Sequence, residues 1–193
     1  MATPEKLTAR DRLLQAAASL FYRDGVSATG IDAITDRAGV AKQSLYNNFK
    51  SKADLIAAYL ADRHDEWLGL YALRLAAAIT PAEKILAVFE AYEDHAEFAY
   101  ENGFRGCGLL NAASELPAGH AGRAAVRSHK EEVEAILAGH LAEIVPDDAL
   151  KVERTAAQLS YLLEGAMARA GLEGNSRCLK DAKMMADSLV RSL

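Results

Sequence analysis

The stretch AGVAKQSLYNNFKSKADL, residues 38–55, sets Lys42, Gln43, Ser44, Tyr46, Asn47, Asn48, Lys50 and Lys52 around two apolar residues, Leu45 and Phe49. Amide and ammonium side chains at this density suit hydrogen bonding to the edges of nucleic-acid bases. A glutamine or asparagine can pair with adenine through two hydrogen bonds, and a lysine can donate to the acceptors of guanine. Gln43 and Asn48 are candidates for the first contact and Lys42 for the second. Asn47 reads equally well as solvated helix surface. The charge balance points the same way. Residues 1–52 carry a net +3 and the remainder -8, within a formal net charge of -5. A basic head on an acidic body suits an anionic partner at one end only.

Other chemistries find less support. His64, His95, His120, His129 and His140 form no HExxH pair, and no glycine-rich phosphate loop is present. Cys107 and Cys178 have neither metal-ligand nor redox-pair spacing. No metal or other cofactor is expected, and an enzyme reading rests only on a pairing of Cys107 with a histidine. No apolar run reaches the roughly 20 residues that span a bilayer. The opening MATPEKLTARDRLLQ lacks the apolar core of a signal peptide. A cytoplasmic protein without a membrane partner is predicted.

Helices must position these side chains. Helical spacing recurs along the chain, and no segment alternates as a half-buried strand does. A first helix is predicted over Thr8–Asp24, with Leu13, Ala17, Leu20 and Phe21 as its apolar stripe and Gly25 as its stop. A second, about 30–37, takes Thr29 as its cap with Asp32 in the capping-box position, and turns Ile31 and Ile34 inward. Gly39 makes a tight turn, Val40 fills the angle, and a third short helix over about 41–48 has Leu45 and Phe49 as its buried side. Two short helices around a glycine turn form a helix-turn-helix, whose second helix is the usual base reader. Ser51, with Asp54, caps a long fourth helix to about Ala78. Further helices are predicted near 82–101, 105–115, 121–144, 147–171 and 177–192, separated by proline and Asn-Gly or Gly-Asn breaks. The fold class is all-α, with a helix-turn-helix domain over 1–51 joined by a long helix to a helical domain over 52–193.

The spaced set Phe21, Gly25, Thr29, Ile34, Ala38, Gly39, Val40, Leu45, Tyr46, Phe49, Lys52 and Leu55 resembles the DNA-binding domain of TetR-family transcriptional regulators. The resemblance covers about residues 8–60. It implies a homodimer that binds a palindromic operator in double-stranded DNA, most often as a repressor. It implies release when a small-molecule effector enters the C-terminal effector-binding and dimerisation domain. It also implies that Thr29, Tyr46 and Lys52 contact phosphates, which sets register without reading sequence. With Lys42, Gln43, Ser44 and Asn48 these complete the candidate DNA-binding set. Ala41 departs from the pattern, because many members place a capping Ser or Thr there. The forgone cap, about 1 kcal/mol, predicts a third helix that is loosely ordered away from DNA.

Beyond residue 60, Trp67, Tyr71, Phe89, Tyr92, Cys107, Asn111 and Tyr161 fall on segments expected to surround the family's effector cavity. Together they suit a mostly apolar pocket with a few polar groups, although each alone is more often plain core. Glu164 can face that pocket or solvent. GFRGCGLLNAASEL, residues 103–116, is similar to a segment in a subset of these regulators with RGC at the start of the sixth helix. Some of that subset respond to electrophiles or oxidants through the cysteine, and others bind ordinary ligands. A helix starting near Arg105 would put Cys107 in its first turn, where backbone N–H groups stabilise a thiolate. Buried packing is the competing reading.

In the last two helices Val152, Ala156, Leu159, Leu163, Ala166 and Ala170, then Leu179, Ala182, Ala186, Leu189 and Leu193, step by threes and fours. Such seams suit helix pairs crossing near +20°, and the resemblance puts the dimer contact on this pair. The alternative to a ligand-responsive regulator is a cytosolic thiol-dependent enzyme, or a small-molecule binding protein with a vestigial helix-turn-helix.

Overall fold

A computed structural model describes residues 7–193 of the chain. Regular structure among them is helical throughout: α1 (Ala9–Asp24), α2 (Ile31–Ala38), α3 (Lys42–Asn48), α4 (Lys52–Leu75), α5 (Pro81–Glu97), α6 (Gly108–Ser114), α7 (Ala121–Ile144), α8 (Ala149–Glu173) and α9 (Arg177–Arg191). None of the described helices is long and apolar enough to cross a membrane. Two compact units result. One comprises residues up to Arg63 together with Gly108–Ala124; the other comprises His64–Cys107 and Ala125–Leu193.

In the first unit, Thr8 and Asp11 close a capping box on α1: the Asp11 N–H donates to Thr8 Oγ1 at 3.1 Å, and the Thr8 N–H to Asp11 Oδ2 at 3.0 Å. The stripe Leu13, Ala17, Leu20 and Phe21 is buried against α2 and α3, which contribute Ile34, Ala38 and Leu45. α1 also caps α2, since Arg12 Nη1 donates to the carbonyls of Ala38 and Gly39, both at 3.3 Å. That guanidinium satisfies carbonyls a helix end leaves open.

The expected Thr29 cap is not formed. Gly30 is the N-cap of α2 and supplies no side chain. Thr29 is buried, and its hydroxyl donates towards the carbonyls of Gly25 (2.7 Å) and Leu20 (3.3 Å) at the end of α1. A buried hydroxyl needs a partner, and the end of α1 provides it. Ser51 does cap α4, accepting the Asp54 N–H at 3.1 Å.

In the second unit α5, α8 and α9 pack on one another. Thr80 and Glu83 form the capping box of α5, with Pro81 in its first turn. Leu159, Leu163 and Ala170 of α8 and Leu179 and Ala186 of α9 are fully buried. Most of the two seams is therefore consumed within one chain, and Leu189 is half-buried. The large apolar side chains left exposed on these helices are others: Leu150, Tyr161 and Leu172 on α8, Met184 and Met185 on α9.

Candidate functional site

α3 is held by its apolar side and free on the other. Leu45 is completely buried and Phe49, just past the helix, is nearly so. Lys42, Gln43, Tyr46, Asn47 and Asn48 are exposed and Ser44 is half-buried. Tyr46 keeps 47% of its surface open, a large aromatic that packing has not absorbed. Ala41 is the N-cap without a side-chain bond, and the Ser44 N–H turns to the Ala41 carbonyl at 2.8 Å.

The polar face has local partners. Lys42 Nζ lies 2.7 Å from Asp32 of α2, and that hydrogen bond raises its pKa above the ordinary lysine value. Gln43 Nε2 donates to Asn47 Oδ1 at 3.1 Å, and Asn48 Nδ2 to the Ser44 carbonyl at 2.7 Å. Lys52 Nζ reaches the Ser27 carbonyl at 3.2 Å. All these contacts are exposed, so trading them for base edges or phosphates leaves no buried group unpaired. Thr29 differs, because its hydroxyl faces inward.

Residues 13–59 match the family described as bacterial regulatory proteins, tetR family. The chain is 42% identical over 82 residues to the HTH-type transcriptional repressor KstR2 of Mycolicibacterium smegmatis, a match over 42% of this chain and 40% of that protein. The chain thus spans less than half the length of the curated relatives it matches. Solved structures match over nearly the whole chain. A TetR-family transcriptional regulator from Streptomyces coelicolor, SCO4454, superposes with a TM-score of 0.86 at 28% identity, over 95% of each chain. A tetR-type transcriptional regulator (sav143) from Streptomyces avermitilis is 32% identical, with a TM-score of 0.69 over 94% of this chain and 99% of that one. The chain belongs to the TetR family.

As a TetR-family protein it is a DNA-binding transcriptional regulator with an N-terminal helix-turn-helix in an all-helical fold. Its second unit holds most of the residues expected around an effector. Trp67 stacks on Tyr71 (centroids 5.5 Å apart) and touches Tyr92 (5.6 Å) and His129 (5.3 Å). Tyr71 Oη lies 2.8 Å from His140 Nε2. Phe89 is fully buried on α5.

Cys107 joins this cluster through Lys130. The lysine Nζ is 3.8 Å from Cys107 Sγ, 3.2 Å from Tyr92 Oη and 2.7 Å from Glu164 Oε1. Burial alone would pull the Lys130 pKa down. Cys107, Tyr92 and Glu164 outweigh burial and hold it above the lysine range. Burial pushes the Tyr92 phenol up. Burial, helped by the charge of Lys130, pushes His129 down to about 3. His129 Nδ1 lies 2.9 Å from His64 Nδ1.

One expected member lies apart: Asn111, half-buried on α6, falls in the first unit. Tyr161 is 73% exposed and lines a groove with Lys130 and Glu164. α6 begins at Gly108, so Cys107 precedes it rather than sitting in its first turn. Gly106 explains the late start. It adopts φ +84 against α8, where a Cβ on Gly171 would lie 2.7 Å from Gly106 Cα. Lys130 went unrecognised because its neighbourhood, RSHKEEVE, reads as a solvated charged face. Trp67 Nε1 and Glu164 Oε2 are buried without a hydrogen-bond partner.

Proposed function

We propose that the protein is a homodimeric repressor that binds a palindromic operator through α3 and leaves it when a small-molecule effector binds the second unit. The observation that carries the reading is the exposed face of α3. Lys42, Gln43, Tyr46 and Asn48 stand outward over buried Leu45, with Ser44 and Lys52 at its margins. Gln43 and Asn48 read bases, and Tyr46 and Lys52 hold phosphates. Thr29 contributes through its place at the start of α2 rather than through its inward hydroxyl. The first unit is the reading head; the second carries effector binding and dimerisation.

The dimer face in this reading takes in the exposed apolar residues Tyr161 and Leu172 of α8 and Met184 and Met185 of α9, rather than the consumed seam. Large apolar side chains left exposed on two packed helices are what a dimer contact would cover. Two α3 helices in such a dimer meet half-sites about 34–36 Å apart, or a multiple of that. The effector sits among Trp67, Tyr71, Phe89, Tyr92 and Cys107, where Lys130, Glu164 and the unpartnered Trp67 N–H supply polar contacts. The setting is the cytoplasm, and no reaction is assigned.

The test uses duplexes selected by the parent protein from a randomised pool, compared with random duplex. Gln43→Ala should weaken the selected duplex by about 1–3 kcal/mol and leave random DNA unchanged. Lys52→Ala should weaken both and reduce the salt slope by about one. Equal losses on both duplexes for Gln43→Ala would refute its reading role.

A further inference from the structure

Glu115 lies 56 positions beyond the last residue that matches the family, yet its carboxylate is built into the reading unit. Just after α6, it accepts two consecutive backbone N–H groups in the turn between α1 and α2. Val26 donates to Oε1 at 3.2 Å and Ser27 to Oε2 at 2.8 Å. Gly25, the C-cap of α1, makes room for it: a Cβ there would collide with Glu115 Oε1, and the φ of 94° suits glycine.

The same turn is held from another element. The Ser27 carbonyl accepts Lys52 Nζ at 3.2 Å, from the first residue of α4. Val26 itself is 1% exposed, so the position of the turn is fixed into the core that carries α2 and α3. Behind Glu115, Arg123 Nη1 donates to the carbonyls of Ala113 (2.8 Å) and Leu116 (3.5 Å), which holds the end of α6 in place. Hydrogen bonds to an ionised acceptor are shorter and stronger than neutral ones.

We propose that Glu115 is a positioning residue for DNA recognition: it locks the α1–α2 turn, and through it the placement of α2 and the reading helix. The inference rests on α3 being the base reader. It also explains a carboxylate kept beside a basic head, where its charge alone works against binding phosphates.

That opposition gives the test its sign. Affinities of Glu115→Ala and Glu115→Gln are measured for a duplex selected by the parent from a randomised pool and for random duplex, well below each melting temperature. Positioning predicts that Glu115→Ala lowers affinity for the selected duplex by about tenfold, the scale of one hydrogen bond to a charged group, while random-duplex affinity holds or rises. Glu115→Gln, which keeps one acceptor of the same reach, should recover part of the loss. Thr8→Ala, which removes the α1 cap, is the control: it should lower the melting temperature and leave the ratio of the two affinities unchanged. An unchanged ratio for both Glu115 variants, or tighter binding to both duplexes, would overturn the proposal. A Gln43→Ala variant with an unchanged ratio would count against the reading helix itself, separately from Glu115.

Discussion

Lys42 and Lys130 each hold a carboxylate at 2.7 Å, one on α3 and one inside the second unit. The Lys42–Asp32 pair has side chains 54% and 77% exposed, whereas those of Lys130 and Glu164 are 17% and 25% exposed. In water an ion pair contributes little and exchanges partners readily. That is what the proposed role of Lys42 at a base edge requires. Inside, each ion depends on the other, because both are largely withdrawn from water. Lys130 is further tied to Tyr92 and Cys107, and its ammonium lies 5.3 Å from the Tyr92 ring centroid. The same chemistry is thus exchangeable on α3 and structural in the second unit.

The sharpest way to break this comparison is to make the same change at both lysines. Lys130→Met leaves Glu164 without its cation in a largely buried site. The expected loss is roughly 3 kcal/mol, the low end for breaking a buried pair, since Glu164 keeps some solvent. Lys42→Met should leave urea unfolding unchanged within error and alter only DNA binding. Adding Glu164→Leu to Lys130→Met should recover most of the stability, because no orphaned charge remains. Equal destabilisation by the two lysine variants would erase the distinction.

The same contrast sets what could be read from residue order. α3 and its exposed polar face were legible because a local pattern, polar residues around Leu45 and Phe49, survives in the fold. The α1 stop at Gly25, the Ser51 cap and the span of α7 at Ala121–Ile144 were legible for the same reason: caps and stripes act within a turn or two. The interior cluster was only partly legible. Trp67, Tyr71 and Tyr92 announce themselves by type, but Lys130 meets Tyr92 across 38 positions and Cys107 across 23. Glu115 meets Val26 across 89. Thr29 had a good cap sequence, and the carbonyls of α1 took its hydroxyl. The α8 and α9 seams had the right period, which cannot say whether a neighbour belongs to the same chain.

A smaller effect separates the two regions by pH. The imidazole of His129 is depressed to about 3 by burial, then by Lys130 and the neighbouring histidines, against 6.5 in the open chain. As pH falls below 6.5 the unfolded chain takes up this proton and the folded chain does not. Stability present above pH 6.5 is therefore lost progressively down to about pH 3. At about 1.36 kcal/mol per pH unit, His129 should remove roughly 2 kcal/mol between pH 8 and pH 5. His129→Gln keeps a hydrogen-bonding partner for His64 and cannot titrate, so its stability curve should be flatter by that amount. Parallel curves for parent and variant would mean that His129 is solvated and protonates in the folded state.

The smallest expected effect concerns the exposed region alone. Ala41 gives α3 no side-chain cap, and the Ser44 N–H already reaches the Ala41 carbonyl at 2.8 Å. Ala41→Ser should therefore stabilise the helix by only about 0.5 kcal/mol, the low end for capping. What that gain does to DNA binding is more informative than its size. If α3 frays in the free protein, DNA must order it, and a pre-formed helix should tighten binding about twofold. If α3 is already ordered, the gain is shared by free and bound protein, and affinity stays the same. Amide hydrogen exchange over Lys42–Asn48 distinguishes the two directly. Slower exchange in Ala41→Ser with a tighter complex would show that the recognition helix is held loosely until it meets DNA. Slow exchange already in the parent would place α3 with the rigid elements, leaving only the side chains to rearrange.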